Sequence, residues 1–210
     1  MGDRLTVAIP RGSLLEGSLD ALDRAGIDTA PVRSNGRRLH FPEVGIVTVR
    51  PGDVPTYVSA GAADLGITGK DVLDEQSDRE FVELADLGFG RCTMVLASAE
   101  GVDDPIEVAA ARLGVVRIAT KYPRTAAAWF AARGRSVEMI EVKGSVELAP
   151  LTGLADGIVD LVSTGATLRE NGLVTRAELS TTTARLIANP VALRLRAAEV
   201  DSLAGRLLGG

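Results

Sequence analysis

The segment richest in usable chemistry is Asp160-Leu-Val-Ser163-Thr164-Gly165-Ala166-Thr167-Leu168. An apolar run closes on a carboxylate, three hydroxyls and a glycine follow, and a helical pattern begins. Such a turn suits an anion. Backbone N–H groups at a turn and helix start point outward, and Ser and Thr hydroxyls add donors without bulk. A carboxylate just ahead of the turn suits ribose hydroxyls or a magnesium ion. A helix cap draws on the same residue types. Three hydroxyls exceed what one cap uses, so the segment is read as a phosphate cradle.

Other familiar chemistries fail on spacing. Gly66-Ile-Thr-Gly69-Lys70-Asp71 lacks the G-x-x-x-x-G-K spacing of a P-loop, and Asp71 stands where a magnesium-binding Ser or Thr is required. Gly88-Phe-Gly90 has no third glycine at dinucleotide-fingerprint spacing. One histidine, His40, and one cysteine, Cys92, exclude a Cys/His zinc cluster. A Ser-His-Asp triad would have to use His40, which lies beside Arg37 and Arg38 in a hairpin-like stretch and reads as a surface or packing residue. Cys92, next to Thr93-Met-Val-Leu-Ala97, reads as a small buried side chain.

The elements that must carry these residues are α/β in character. The 210 residues are 46% hydrophobic and 24% charged, enough apolar content for one large domain or two small lobes and too much for a disordered chain. The formal charge of −5 argues against a nucleic-acid binder, and aromatic side chains at 3% leave little for base stacking. The 23 glycines suggest tight turns where backbone approaches a ligand. A lone cysteine needs no oxidising compartment, and no stretch is apolar enough for a signal peptide or a membrane span. A cytoplasmic enzyme or binder of small molecules is expected.

Short β-branched runs alternate with Ala- and Leu-rich runs, which predicts parallel sheets with covered faces. Strands are expected at 5–9, 45–49, 65–68, 115–120, 137–142 and 158–163. Helices are expected at 14–24, 53–60, 125–133, 146–155 and near Leu168. Asn35-Gly36 predicts a tight turn in a hairpin running to Phe41. Gly61-Ala-Ala-Asp64-Leu65-Gly-Ile-Thr68-Gly69 and Gly157-Ile-Val-Asp160-Leu161-Val-Ser-Thr164-Gly165 share the pattern G-x-x-D-L-x-x-T-G. Chance can produce such an echo in a chain rich in Gly and Ala, but the preferred reading is two similar lobes that each present a strand-end loop to ligand. Lobe I is expected at 1–90 plus 185–210 and lobe II at 91–184.

Six segments together make the chain recognisable. They are Ala8-Ile-Pro-Arg-Gly-Ser-Leu14, Arg50-Pro-Gly-Asp53-Val-Pro-Thr-Tyr57-Val, Gly61 to Asp71, Arg117-Ile-Ala-Thr-Lys121-Tyr-Pro123, Lys143-Gly-Ser-Val-Glu147-Leu-Ala-Pro, and Asp160 to Leu173. In this order they resemble the short-form catalytic subunit of the ATP phosphoribosyltransferase family, over nearly the whole chain. The resemblance implies two α/β lobes with a cleft between them, like type II periplasmic binding proteins. It implies transfer of a phosphoribosyl group from phosphoribosyl pyrophosphate to N1 of ATP with Mg²⁺, the first step of histidine biosynthesis.

By the same resemblance, Asp160, Ser163, Thr164, Gly165, Ala166 and Thr167 would hold the 5′-phosphate and ribose. Asp160 and Glu147 would be the catalytic carboxylates, with Glu147 near the ribose or the metal. Arg11, Arg50, Asp71 and Lys121 would serve the ATP and pyrophosphate side. The plainer readings are surface charge for Arg50 and Lys121, a helix start for Asp71 and Glu147, and core or interface for Tyr57 and Trp129. One departure stands out. The family commonly has Lys-Gly-Arg where this chain has Arg11-Gly12-Ser13, so the second cation is missing and Ser13 is read as a helix N-cap. At this length the resemblance to the short form implies a separate regulatory subunit similar to histidyl-tRNA synthetase; the chain alone is expected to be a homodimer, with no nucleic acid or membrane as partner. The competing reading is a non-catalytic two-lobed binder of a small anion.

Overall fold

The computed structural model describes residues 4–209. It divides into unit 1, Met1–Gly90 with Thr183–Gly210, and unit 2, Arg91–Thr182. Unit 1 begins with β1 (Val7–Pro10), α1 (Leu15–Arg24), α2 (Ala30–Ser34), β2 (His40–Phe41) and β3 (Ile46–Val49). A 3₁₀ turn at Pro51–Asp53 leads into α3 (Val54–Ser59), β4 (Leu65–Gly69), α4 (Lys70–Glu75) and β5 (Val82–Asp86). Unit 2 holds β6 (Cys92–Ala99), α5 (Pro105–Leu113), β7 (Val116–Thr120), α6 (Pro123–Ala131) and β8 (Val137–Glu141). It continues with α7 (Leu148–Leu151), β9 (Gly157–Val162), α8 (Ala166–Glu170) and β10 (Leu173–Thr182). The chain then returns to unit 1 as β11 (Ala184–Ala188), α9 (Pro190–Leu195) and α10 (Ala197–Leu207).

Each unit is one sheet covered on both faces. Unit 1 orders its strands β2-β3-β1-β4-β11-β5, and unit 2 orders them β10-β6-β9-β7-β8. In unit 1 alternate residues of β1 face opposite layers. Val7 and Ile9 pack with Leu19, Leu22, Val200 and Leu203 of α1 and α10, whereas Ala8 packs with Val54 and Val58 of α3. In unit 2, Ile118 and Val159 join Ile106 and Phe130 of α5 and α6, while Ala119 and Ile158 join Ala149 and Leu168 of α7 and α8. Double burial explains why these strands read as continuous apolar runs rather than alternating ones.

The two units repeat one plan. Taken from β8, the second sheet runs β8-β7-β9-β6-β10 and matches β3-β1-β4-β11-β5 in order. In both, the first three strands are mutually parallel and the last two pairings are antiparallel, so that only the fourth strand runs against the rest. The repeat has a shared anchor. Asp64 accepts the N–H of Thr6 at 2.8 Å, and Asp156 accepts the N–H of Arg117 at 2.8 Å. The turns before them match as well: Gly61 and Gly153 both have φ +73°. Asp64 therefore corresponds to Asp156 and not to Asp160. The sequence echo is out of register with the structural repeat, and the true counterpart of Asp160 in unit 1 is Thr68.

A guanidinium completes each anchor: Arg196 reaches Asp64 at 3.4 Å and Arg117 reaches Asp156 at 2.9 Å. Burial pushes the Asp156 carboxyl up. The Arg117 side chain and N–H outweigh that and hold it below the usual carboxylate value. A depressed folded-state pKa gives stability that is present above the unfolded pKa and lost as pH falls through the folded one. Asp156→Asn is expected to cost about 1–3 kcal/mol at neutral pH and to flatten the loss of stability in acid. Urea unfolding of both proteins at neutral pH and in mild acid measures this.

Several elements differ from expectation. Asn35 makes a local turn, its carbonyl and side-chain oxygen accepting the N–H of Arg38 at 3.2 and 3.3 Å, but no strand precedes it. The real hairpin is β2–β3, closed at Gly45, whose φ is +71° and whose missing β-carbon would lie 2.4 Å from the Leu5 carbonyl. The helix expected over 146–155 shrinks to Leu148–Leu151. Pro150 supplies no N–H to extend it and left-handed Gly153 ends the turn. At α1 the N-cap residue is Leu14, with no side-chain cap hydrogen bond, so Ser13 is not the cap. The turn closes through the backbone, Leu15 N–H to the Gly12 carbonyl at 3.0 Å, with Gly12 at φ +89°.

Candidate functional site

Two cavities, one in each unit, gather most of the residues singled out above. In unit 2 the C-terminal ends of parallel strands converge, the usual place for ligands in such sheets. Lys121 follows β7 directly, Asp160 lies near the end of β9, and Ser163 to Gly165 join β9 to α8. Glu147 occupies the N-cap position of α7. All line one cavity of about 340 Å³, together with Ala166 and Thr167. The Lys121 ammonium stands 3.9 Å from an Asp160 carboxylate oxygen. The other Asp160 oxygen accepts the N–H of Leu161 at 2.9 Å.

The cradle is shaped by its backbone rather than by side-chain capping. Gly165 is the N-cap residue of α8, in the left-handed region at φ 74°, and no side chain caps the helix. Thr164 Oγ1 makes only a long contact, 3.4 Å, with the Ala166 N–H. Ser163, Thr164 and Thr167 are exposed. Capping thus engages Thr164 at most, and only at long range. Arg169 adds a cation that the sequence reading missed. Its guanidinium donates to the Thr164 carbonyl at 3.2 Å and lies 2.9 Å from where a β-carbon on Gly165 would be. A residue larger than glycine at 165 would both strain the turn and displace Arg169.

In unit 1, Arg11 follows β1 and Arg50 follows β3, and the two strands run side by side. The Arg11 N–H donates to the Val49 carbonyl at 2.8 Å, so each cation is held at the same end of adjacent strands. Both line a cavity of about 530 Å³ with His40, Asp53 and Tyr57. The sequence alone reads His40 as a surface or hairpin-packing residue and Tyr57 as core or interface. They flank the arginines because β2 pairs with β3 and because the 3₁₀ turn after Arg50 leads straight into α3. Pro51 explains the geometry at Arg50, whose extended backbone, φ −67° and ψ 147°, is the conformation favoured before proline.

Two grouped residues part company with this pair. Lys121 lies in the unit 2 cavity with Asp160, not with Arg11 and Arg50. Asp71, in the first turn of α4, is 8% exposed and lines neither cavity. Its carboxylate turns back on Gly69, where a β-carbon would lie 2.1 Å from Asp71 Oδ1.

Among the described residues no group of three or more His, Cys, Asp or Glu could hold a metal ion. The unit 2 cavity does offer the two carboxylates of Asp160 and Glu147. That donor set fits magnesium, which commonly takes one or two carboxylates and completes its shell with substrate oxygens and water.

Comparison with known proteins bears on the whole chain. A family model described as HisG: ATP phosphoribosyltransferase matches residues 50–209. The chain is 50% identical to an ATP phosphoribosyltransferase of Rubrobacter xylanophilus over 98% of this chain and 99% of that protein. It is 43% identical to one of Bacillus licheniformis, over 99% and 95% respectively. Among solved structures it is similar to a chain of the ATP phosphoribosyl transferase (HisG:HisZ) complex from Thermotoga maritima. That match has a TM-score of 0.80 and 34% identity, and it covers 97% of this chain and 96% of that one. The alkanesulfonate-binding protein SsuA from Xanthomonas axonopodis pv. citri matches with a TM-score of 0.58 and 13% identity, over 97% of this chain and 71% of that one. At that identity the likeness shows the fold alone: two α/β lobes of the periplasmic-binding-protein kind.

Proposed function

Because the chain belongs to the ATP phosphoribosyltransferase family, we propose that its two cavities divide the parts of that reaction between them. The enzyme condenses ATP with phosphoribosyl pyrophosphate in histidine biosynthesis. A bond forms between adenine N1 and C1′ of the sugar, the bond from C1′ to the pyrophosphate oxygen breaks, and pyrophosphate leaves. Positive charge grows on the sugar as it departs, and negative charge grows on the leaving group. Catalysis calls for fixed charges opposite each.

The unit 2 cavity takes the phosphoribosyl part. Ser163, Thr164 and Thr167 hydroxyls with the backbone N–H groups around Gly165 hold the 5′-phosphate, Asp160 holds the ribose and faces the developing cation, and Lys121 balances the phosphate charge. Glu147, lining the same cavity, serves the ribose or the metal. Arg11 and Arg50 take the triphosphate and pyrophosphate oxygens, a task for which a guanidinium fork is better shaped than an ammonium. Asp71 supports the junction of β4 and α4 that carries Lys70, without touching substrate. Asp160 and Glu147 would hold Mg²⁺, which when bound neutralises pyrophosphate charge. Loss of activity with chelator and recovery with Mg²⁺ tests that assignment.

The observation carrying this reading is the exposed trio of hydroxyls, of which only Thr164 makes a single long contact with the helix start, beside Lys121 and Asp160 in one cavity. Thr164→Val removes one donor and leaves phosphate oxygens unpaired. Calorimetry is expected to show phosphoribosyl pyrophosphate binding weakened by roughly 1–3 kcal/mol; an unchanged affinity returns the loop to a purely structural role. A non-catalytic anion binder is not favoured, since the relatives matched over the full chain are enzymes by name.

Assembly is proposed from the same relatives. The Thermotoga maritima structure is a HisG:HisZ complex, and we place this chain as a homodimer that joins a regulatory subunit similar to histidyl-tRNA synthetase. That subunit confers inhibition by histidine. Sedimentation of the chain alone and with the partner, with histidine titrated against each, separates the two states. Strong inhibition of the chain alone contradicts the proposal. Among the described residues no helix is long and apolar enough to cross a membrane, and we place the enzyme in the cytoplasm with its ATP supply.

A further inference from the structure

Thr120 is the last residue of β7 and is fully buried. The anchors that align the two units place Val7 opposite Ile118 in the repeat, so the unit 1 counterpart of Thr120 is Ile9. Ile9 is equally buried. The fold is thus content with hydrocarbon at this position, and the hydroxyl of Thr120 needs a separate reason.

Its hydrogen bonds supply one. Thr120 Oγ1 donates to the Val159 carbonyl at 2.7 Å and accepts the N–H of Tyr122 at 2.9 Å. Val159 immediately precedes Asp160, and Lys121 lies between Thr120 and Tyr122. One hydroxyl therefore clasps the turn carrying Lys121 to the strand carrying Asp160, in an interior where water does not compete. The two charged groups stand 3.9 Å apart on the wall of the cavity.

We propose that Thr120 is a positioning residue for the phosphoribosyl half of the reaction, holding Lys121 and Asp160 at their separation before substrate arrives. The inference rests on the assignment of those two residues to phosphoribosyl pyrophosphate. It concerns a residue that contacts no substrate. A hydroxyl acting only on stability would alter melting without selecting one substrate, whereas a positioning hydroxyl acts on one substrate through Lys121.

The test uses the full chain with its regulatory partner and measures calorimetric affinity for phosphoribosyl pyrophosphate alongside KM for ATP. Lys121→Met, Thr120→Val, Thr120→Ser and the double variant Thr120→Val/Lys121→Met are compared. Thr120→Val is expected to weaken phosphoribosyl pyrophosphate binding about tenfold, with KM for ATP changed by less than about twofold. Thr120→Ser, which keeps the hydroxyl, is expected to restore affinity. The double variant is expected to lie within about twofold of Lys121→Met alone, since residues acting through one another are not additive. If Thr120→Val does not fold, Thr120→Cys, close in size to Ser but poor in hydrogen bonding, must show the same selective loss. Wild-type affinity in Thr120→Val beside a weakened Lys121→Met, or losses that multiply in the double variant, would overturn the proposal. Undiminished binding in Lys121→Met defeats the assignment of Lys121 itself, and the positioning role falls with it.

Discussion

Asp160→Asn is expected to lower kcat by about 10²–10³-fold while the protein still folds. The substitution keeps the side chain's size and its oxygen toward the Leu161 N–H, 2.9 Å away in the native protein, and removes only the charge. On the proposed assignment, that charge is the one the reaction uses. As the bond to pyrophosphate stretches, the sugar becomes cationic, and a carboxylate fixed beside it gains attraction that the ground state lacks. An interaction made only in the transition state lowers kcat rather than raising KM when it is lost. The readout is the ultraviolet absorbance of the N1-substituted product, paired with a thermal melt. A collapse in melting temperature with little change in the turnover of the folded fraction would make Asp160 a structural residue. The equivalent position in the other unit is Thr68, whose hydroxyl donates to the Pro51 carbonyl at 3.0 Å, so the shared plan does not require a carboxylate there.

Arg50→Ala is expected to reduce kcat by about 10²-fold or more, read as pyrophosphate released per unit time. The side chain is exposed and stands at the end of β3 beside Arg11. Removing it should leave stability within about 0.5 kcal/mol, as for most surface substitutions. Arg50→Lys should fall between the two, keeping the charge and losing the two-pronged geometry that fits a phosphate. If Arg50→Ala raises KM for ATP and leaves kcat untouched, Arg50 binds the nucleotide equally in ground and transition states and does not act on the leaving group.

The strands that carry the site were legible because they are buried on both faces and therefore read as short apolar runs. Val7–Pro10, Val116–Thr120 and Gly157–Val162 are of this kind. The turn between β9 and α8 was legible because an apolar run gives way to hydroxyls and a glycine before a helical pattern begins. What escaped the sequence was register and long-range pairing. The G-x-x-D-L-x-x-T-G echo matched letters across positions that the fold keeps apart, because the strand start in each unit is set by a half-buried aspartate accepting a backbone N–H, at Asp64 and Asp156. Only tertiary structure shows which aspartate does so.

The antiparallel members of the sheets were missed for a related reason. β10 is partly exposed along its length and bulges at two places against β6, so its pattern is neither a buried run nor a clean alternation. His40 and Tyr57 reach the arginine cavity through a hairpin and a helix whose placement depends on β3. Arg169 reaches the Thr164 carbonyl only because α8 turns it back over the loop. Each of these side chains is unremarkable in sequence and acquires its place from an element next to it in space.

The central claim is that the phosphoribosyl donor is held by the turn after β9. Amide hydrogen exchange of the chain with Mg²⁺, with and without phosphoribosyl pyrophosphate, addresses it without any mutation. Exchange is expected to slow at the amides of Ser163 to Thr167 and at Lys121 and Tyr122. Unchanged exchange across those residues at saturating phosphoribosyl pyrophosphate, with protection elsewhere in the chain, would contradict the account.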